Sequence, residues 1–336
     1  MKKCLVVTTI SPPNEVLRAL VDGAITNGIN FIIIGDSKSP ADFVLNGSEY
    51  YSIERQGSLP FSFVKVAQER SYARKNIGYL IAMSSDAEAI IETDDDNYPN
   101  AEFWGSRHRE VCGSTINHRG WVNVYGHFTD SNIWPRGYPL QELRAPLQPR
   151  GPSETSICPI QQGLANANPD VDAVYRMLMP LPVDFDICEP VILGAHGWCP
   201  FNSQNTTHFQ EAYLLLYLPT FCSFRMTDIW RSFVAQRILW TCGWRLSFSS
   251  ATVWQERNEH DLLKDFSDEV PGYLHNARIV DELDKLNLKE GALSIAENMQ
   301  TCYHKLIDLG VVGEQEARLL DCWIADHASI YNKKAD

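Results

Sequence analysis

The residues of this chain best suited to chemistry are three adjacent aspartates in the segment IIETDDDNYP: Asp94, Asp95 and Asp96. Like charges at contact distance repel and raise one another's pKa, so the triplet is costly unless something offsets the repulsion. A Mg²⁺ or Mn²⁺ ion would do so, because it takes a few carboxylates and completes its coordination with phosphate oxygens. Two interpretations stay open: a metal site held by Asp94 and Asp96, or a solvated acidic turn whose aspartate caps a following helix.

A basic pair, Arg74 and Lys75, precedes the triplet in the segment SYARKNIGYL. The apolar spacing predicts a helix over 63–83 that carries both side chains. Such a pair is commonly a solvated helix face. Beside a phosphate site it would instead supply positive charge to a diphosphate, with arginine offering a planar fork of donors.

The first hundred residues contain the elements that would position these side chains. Runs of β-branched residues alternate with amphipathic segments, which predicts βαβ units and a parallel sheet covered by helices. The predicted strands are 5–10, 31–34 and 89–93, and a helix is predicted over 14–27. Ligands of such sheets bind beyond the carboxyl ends of the strands. The polar residues at those ends are Thr8, Thr9, Asp36 and the aspartate triplet.

The remainder of the chain is less regular. Residues 98–210 are rich in Pro, Gly, Asn and Trp and predict long functional loops. Helical spacing returns over 228–240, and a strand is predicted over 244–254. From about residue 275 the sequence is helical and charged, and this tail is a candidate surface for homo-oligomerisation.

Composition excludes several classes of protein. The chain has 336 residues, of which 44% are hydrophobic and 21% charged, so it is globular rather than disordered. Its net charge of −13 argues against binding nucleic acid. Its nine cysteines form no CxxC pair, which favours reduced thiols in a cytoplasmic setting. No apolar run approaches the roughly 20 residues of a membrane helix, so contact with a membrane would need a partner.

Seven segments together resemble the STELLO-type glycosyltransferase family, in matching order from about residue 5 to 262. They are TTISPPN, IIIGDSKSP, ARKNIGYLIA, IIETDDDN, IWPRGYPL, PIQQGLANANPDVDAVYR and MTDIWRSFVAQRILW. The resemblance implies an α/β fold of the GT-A, Rossmann-like class with a C-terminal helical extension. It divides the chain into a nucleotide-binding half (1–100), an acceptor half (101–270) and a helical segment (271–336). The implied activity is transfer of a sugar from a nucleoside diphosphate sugar, a UDP-sugar, to a glycan, polysaccharide or other hydroxyl acceptor.

The resemblance also implies roles for particular residues. The base of the donor would lie near Thr8, Thr9 and Asp36. The diphosphate would lie near Arg74, Lys75, Asp94 and Asp95, and Mn²⁺ or Mg²⁺ would be held by Asp94 and Asp96. Asp228 would serve as a general base or stabilise positive charge on the sugar, although an N-cap is the simpler interpretation. His260 is the candidate third metal ligand by its place after the last strand, with His127, His196 and His208 as alternatives.

A second resemblance, to the reversibly glycosylated polypeptides, which are UDP-arabinopyranose mutases, concerns the aspartate triplet and the segment RGYP. In that family the corresponding arginine accepts the sugar covalently, and here it would be Arg136. Arginine stays protonated at neutral pH and is a poor nucleophile, so a diphosphate clamp is the easier chemistry. A rigid aromatic–proline loop is the purely structural interpretation. Two functions remain as alternatives: a UDP-sugar mutase and a non-catalytic sugar-nucleotide scaffold.

Overall fold

The structure is a computed structural model that describes residues 1–256 and 261–332. Thirteen strands are described: β1 Lys3–Thr8, β2 Asn30–Ile34, β3 Glu49–Tyr51, β4 Ala89–Thr93, β5 Asn97–Pro99, β6 Glu110–Ile116, β7 Gly120–Trp121, β8 Ser153–Ile157, β9 Ile160–Asn166, β10 Val191–Leu193, β11 Gly197–Trp198, β12 Asn205–Phe209 and β13 Leu246–Gln255. The α-helices are α1 Glu15–Thr26, α2 Ile53–Gly57, α3 Lys75–Ser84, α4 Ala173–Leu178, α5 Thr227–Thr241, α6 Leu262–Asp284, α7 Ile295–Asp308 and α8 Glu316–Asn332.

One mixed sheet organises the molecule, with strand order β3-β2-β1-β4-β12-β9-β13-β10-β6-β8 and β5 paired to β13. Its first four strands are parallel, and Leu5 of β1 lies between Phe31 of β2 and Ile91 of β4. β12 is antiparallel to β4 and joins this parallel part to the rest of the sheet. The predicted α/β, Rossmann-like fold of the GT-A class is confirmed.

The sequence-predicted helix over 63–83 is wrong in its first half. The structure has 3₁₀ turns at Phe63–Lys65 and Tyr72–Arg74, and α3 begins only at Lys75. The Asp36 carboxylate accepts the backbone N–H groups of Arg70 (2.9 Å) and Ser71 (3.0 Å), and Arg70 adopts a positive φ of 57°. These side-chain bonds to the backbone compete with the helical pattern and hold the segment as a loop.

The stretch 98–210, which the sequence predicts as loops, contains the strands β6 to β12 and the short helix α4. Most of these strands have two to five residues, too few for alternation of polar and apolar residues to identify them. Five of these strands complete the second half of the central sheet, whereas β7 and β11 pair with each other in a separate two-stranded sheet.

The C-terminal helices pack onto the main core. Trp323 of α8 is fully buried and contacts the rings of Phe63 and Tyr217. The Asp326 carboxylate accepts the backbone N–H groups of Ser62 (2.8 Å) and Phe63 (2.7 Å). The helical region begins with α6 at residue 262, ahead of the boundary at 271 expected from the sequence. Oligomerisation through this region stays a prediction.

Within the two described ranges, no helix combines the length and the apolar character that a membrane span requires.

Candidate functional site

A cavity of about 530 Å³ opens beyond the carboxyl ends of β1, β2 and β4. Nine residues predicted for the site line it: Thr8, Thr9, Asp36, Arg74, Asp94, Asp95, Asp96, Arg136 and Asp228. Lys75 is absent from the lining, and His260 lies outside the described residues. The fold therefore brings nine of the predicted site residues together around one cavity.

Asp94 has a buried counter-ion. Its Oδ1 accepts hydrogen bonds from the Tyr72 hydroxyl (2.7 Å) and from Lys75 Nζ (3.0 Å). The Lys75 side chain is fully buried and also donates to the carbonyls of Thr93 (2.8 Å) and Ser203 (3.2 Å). Lys75 thus supports Asp94 from beneath the cavity surface, instead of presenting its charge to a ligand in the cavity.

Asp95 joins the ends of two strands. Its Oδ2 accepts a hydrogen bond from the hydroxyl of Thr9, which follows β1, and its backbone carbonyl accepts one from Asn14 Nδ2 at 2.8 Å. Burial raises the pKa of Asp95, and the Thr9 hydrogen bond opposes that shift. Asn14 is in turn the N-cap of α1. Hydrogen bonds of Asp95 therefore connect the triplet to the end of β1 and to the start of α1.

Asp96 turns toward the far strand of the site. Gln255 at the end of β13 donates its amide to Asp96 Oδ2 at 2.7 Å. The three aspartates therefore point in different directions, and within 1–256 and 261–332 no three acidic, histidine or cysteine side chains form a ready metal cage.

A divalent ion nevertheless fits this donor set. Asp94 and Asp96 offer hard carboxylate oxygens to one cavity, and Mg²⁺ or Mn²⁺ at a nucleotide site needs only one or two protein carboxylates. The cavity lining contains six carboxylates against five cationic side chains, so a diphosphate entering it would need additional positive charge.

Arg136 is held between two carboxylates, those of Asp170 and Asp228. It donates to Asp170 from Nε (2.9 Å) and Nη2 (2.8 Å), and to Asp228 from Nη1 (3.0 Å) and Nη2 (2.9 Å). Its fifth N–H bonds the backbone carbonyl of Arg225. A guanidinium has five N–H donors, and all five are engaged within the protein. Burial would lower the pKa of Arg136, but the charges of Asp170 and Asp228 raise it well above its usual value.

Asp228 lies in the first turn of α5, whose N-cap position is occupied by Met226. Its carboxylate is used by Arg136 and by the backbone N–H of Ser203 (3.2 Å). Burial would raise the pKa of Asp228, but the adjacent guanidinium outweighs it and the pKa is lowered. The side chain is therefore ionised at neutral pH, as a group that stabilises positive charge must be.

Asp36 and Arg74 shape the loop beside the cavity. The Asp36 carboxylate accepts three backbone N–H groups, those of Ser37, Arg70 and Ser71. Arg74 bonds the Gln56 amide oxygen and the Gln68 carbonyl (3.2 Å), and burial lowers its pKa against the opposing charge of Asp36. Both side chains hold the loop that forms one wall.

Sequence reasoning missed four residues that complete the site: Tyr72, Asp170, Phe224 and Gln255. Asp170 carried a detectable signal, because it follows the end of β9 within the segment ANANPDVD. The other three carried none, since their roles depend on contacts with residues distant in the chain.

A second buried network lies behind the cavity. Glu92, two residues before Asp94, pairs with Arg231 of α5 at 2.8 Å, and both side chains are buried. The Tyr79 hydroxyl also donates to Glu92. This network fixes β4, which carries the triplet, against α5, which carries Asp228.

Comparison with known proteins finds similarity to one family of glycosyltransferases. The sequence model of the STELLO glycosyltransferase family matches residues 225–334, a region that includes Asp228 and α5 to α8. The chain is 28% identical over 353 residues to the probable glycosyltransferase STELLO2 of Arabidopsis thaliana, and 27% identical over 346 residues to STELLO1 of the same plant. Each alignment covers 97% of this chain and 44% of the relative, so the chain spans less than half the length of these relatives. The chain is therefore similar to the STELLO glycosyltransferases along almost its whole length.

Proposed function

We propose that this protein transfers a sugar from a UDP-sugar to a hydroxyl of a glycan acceptor, with Mn²⁺ or Mg²⁺ at the diphosphate. One observation carries the proposal: a single cavity joins the aspartate triplet at the end of β4 to the Asp170–Arg136–Asp228 network. The first group suits a metal-bound diphosphate, and the second suits the positive charge that develops on a departing sugar.

The volume of the cavity suits such a donor, and a bound metal ion would supply the positive charge that the lining lacks. Ligand pockets typically enclose about 300–1,000 Å³, and about 530 Å³ lies within that range. The base would lie at the ends of β1 and β2, near Thr8, Thr9 and Asp36. Lys38 and Arg70 also line the cavity and would add fixed positive charge toward the diphosphate.

When bound by Asp94 and Asp96, the metal would supply Lewis-acid stabilisation of the charge that builds on the leaving diphosphate. The protein's own contribution is positional. Lys75 and Tyr72 fix Asp94, and Gln255 fixes Asp96, so the two carboxylates are oriented before a ligand arrives.

At the sugar, Asp228 is better suited to electrostatic stabilisation than to proton abstraction. A carboxylate whose pKa is lowered by an adjacent guanidinium is a weak base, whereas its fixed negative charge favours an oxocarbenium-like centre. Arg136 acts in this account as a positioning residue. Its five engaged donors and its raised pKa disfavour both the covalent role and the diphosphate clamp.

The test is product analysis with a panel of UDP-sugars and Mn²⁺, with and without oligosaccharide acceptors. Transfer predicts UDP release that rises with acceptor concentration and a lengthened acceptor detected by mass spectrometry. Isomerised UDP-sugar formed without release of UDP would identify a mutase. Binding of UDP without turnover across the panel would identify a scaffold.

A further inference from the structure

We propose that Phe224 is a stacking platform for a pyranose ring of the acceptor, which makes the acceptor a carbohydrate chain rather than a protein or lipid hydroxyl. This proposal rests on the proposed function. Phe224 lines the cavity together with Asp94 and Asp228, yet 61% of its surface is exposed. Within the described ranges it is the most exposed phenylalanine or tryptophan.

The exposure of this ring does not come from a loose backbone. The short 3₁₀ helix Phe224–Met226 is tied down on both sides of the ring. The Ser223 hydroxyl donates to the Asp268 carbonyl, and the Arg225 side chain donates twice to Glu269 (3.0 and 2.8 Å). The Arg225 carbonyl accepts a hydrogen bond from Arg136. The fold therefore holds the backbone of Phe224 in place while leaving the ring uncovered.

An uncovered aromatic ring forgoes the stabilisation that burial of its apolar surface would give. One edge contact is kept, with the Tyr72 ring at a centroid distance of 6.2 Å and an interplanar angle of 83°. Because the Tyr72 hydroxyl donates to Asp94, this contact places the Phe224 ring beside the residue that we assign to the diphosphate. The platform thus lies next to the point where the sugar would leave the donor.

The surroundings suit a carbohydrate. A pyranose presents C–H groups on its faces and hydroxyls around its edge, so a sugar subsite combines an aromatic surface with polar groups at the rim. Here the aromatic surface is Phe224, and the polar side chains lining the same cavity include Gln204, Arg225 and Asp228. The base of the donor has a separate place in this account, at the ends of β1 and β2.

The experiment compares the wild type with Phe224→Ala, Phe224→Trp and a matched control, Phe266→Ala. Phe266 is also a partly exposed phenylalanine, at 37%, and does not line the cavity. Saturation-transfer NMR is recorded with UDP and Mn²⁺ present, using trisaccharides of glucose, galactose, mannose and xylose as probes. Isothermal titration with UDP and Mn²⁺ measures the donor side independently.

We expect at least one trisaccharide to receive saturation at its ring C–H protons in the wild type. Phe224→Ala should weaken that binding about tenfold, the loss of roughly one stacking contact. Phe224→Trp and Phe266→Ala should retain it, and UDP affinity should stay within about twofold in all variants. Absence of trisaccharide binding in the wild type, or equal binding by Phe224→Ala, would overturn the proposal. A loss of UDP affinity in Phe224→Ala would instead make the ring a platform for the base. Failure of the proposed function is distinguishable, because then the wild type binds no UDP or releases none from UDP-sugars.

Discussion

Arg136 and Asp228, 92 residues apart in the chain, are joined by two hydrogen bonds of 3.0 and 2.9 Å inside the protein. The same guanidinium makes a second pair of bonds to Asp170. One buried cation therefore makes paired hydrogen bonds to two carboxylates of the cavity.

Replacing Arg136 by Gln should destabilise the fold by about 3–5 kcal/mol, because two buried carboxylates lose their counter-ion. Arg136→Lys keeps the positive charge but has three N–H donors in place of five. Its loss of stability should therefore be smaller than that of Arg136→Gln. Urea unfolding measures both. The matched control is Arg119→Gln, whose exposed ion pair with Asp284 should contribute less than about 1 kcal/mol. A loss for Arg136→Gln no larger than that for Arg119→Gln would refute the role of the network.

Gly78 permits close packing of α3 on the sheet. A Cβ at this position would lie 2.5 Å from Val6 Cγ1 and 2.9 Å from Ile34 Cγ1, side chains of β1 and β2. Gly78→Ala should therefore destabilise the protein by about 1–3 kcal/mol and displace the strand ends that carry Thr8 and Thr9. Thermal unfolding and UDP titration should both report the change.

Gly57 at the end of α2 is the control for this substitution, because a Cβ there meets no atom within 4 Å. Gly57→Ala should be neutral or stabilise by up to about 1 kcal/mol. If the two alanine variants behave alike, the contact of α3 with β1 and β2 is looser than described.

The buried ring of His208 should make the free energy of unfolding depend on pH. Burial, together with the charge of Arg231, lowers the pKa of His208 well below its usual value. Below pH 6.5 the unfolded chain protonates this ring while the native protein does not, so stability falls as pH falls. His208→Phe should reduce the slope of unfolding free energy against pH, near pH 5.5, by about one proton, or ~1.4 kcal/mol per pH unit.

The slope that remains in His208→Phe should come from His127 and His327, whose pKa values burial lowers to about 4. Asp172 contributes a slope of the opposite sign. Burial raises its pKa to about 6, so its protonation stabilises the native protein as pH falls toward 4. Urea titrations at pH 5, 6, 7 and 8 give the slopes. An unchanged slope in His208→Phe would mean that the ring titrates normally in the native protein.

Local sequence pattern was sufficient to predict the part of the cavity formed by the ends of β1, β2 and β4. The strand over 89–93 was predicted with the ends that β4 has, because its β-branched residues Ile90, Ile91 and Thr93 stop at the aspartate triplet. Since parallel strands end on one edge of a sheet, Thr8, Thr9, Asp36 and the triplet could be expected to meet. The cavity lining contains all of them.

Local pattern failed where distant contacts decide the outcome. The basic pair Arg74 and Lys75 suggested two cations facing a ligand. Lys75 is instead buried under Asp94, because its ammonium group bonds acceptors in two distant segments, one with Thr93 and Asp94 and the other with Ser203. The role of Arg136 depends on Asp170 and Asp228, which only the tertiary fold brings within reach.

Under the function proposed above, Asp94 and Asp96 would hold a metal at the diphosphate of the donor. The most direct measurement is release of UDP from a UDP-sugar by the wild type and by the Asp94→Ala, Asp96→Ala double variant, each with Mn²⁺ and with excess chelator. Asp96→Ala alone serves as a second variant, because it leaves the Lys75–Asp94 pair intact. Circular dichroism verifies that each variant is folded.

We predict that chelation abolishes turnover by the wild type, and that both variants are slowed at least about a hundredfold with Mn²⁺ present, as expected when charge stabilisation at the leaving group is lost. Turnover by a folded double variant at the wild-type rate in excess chelator would contradict the account.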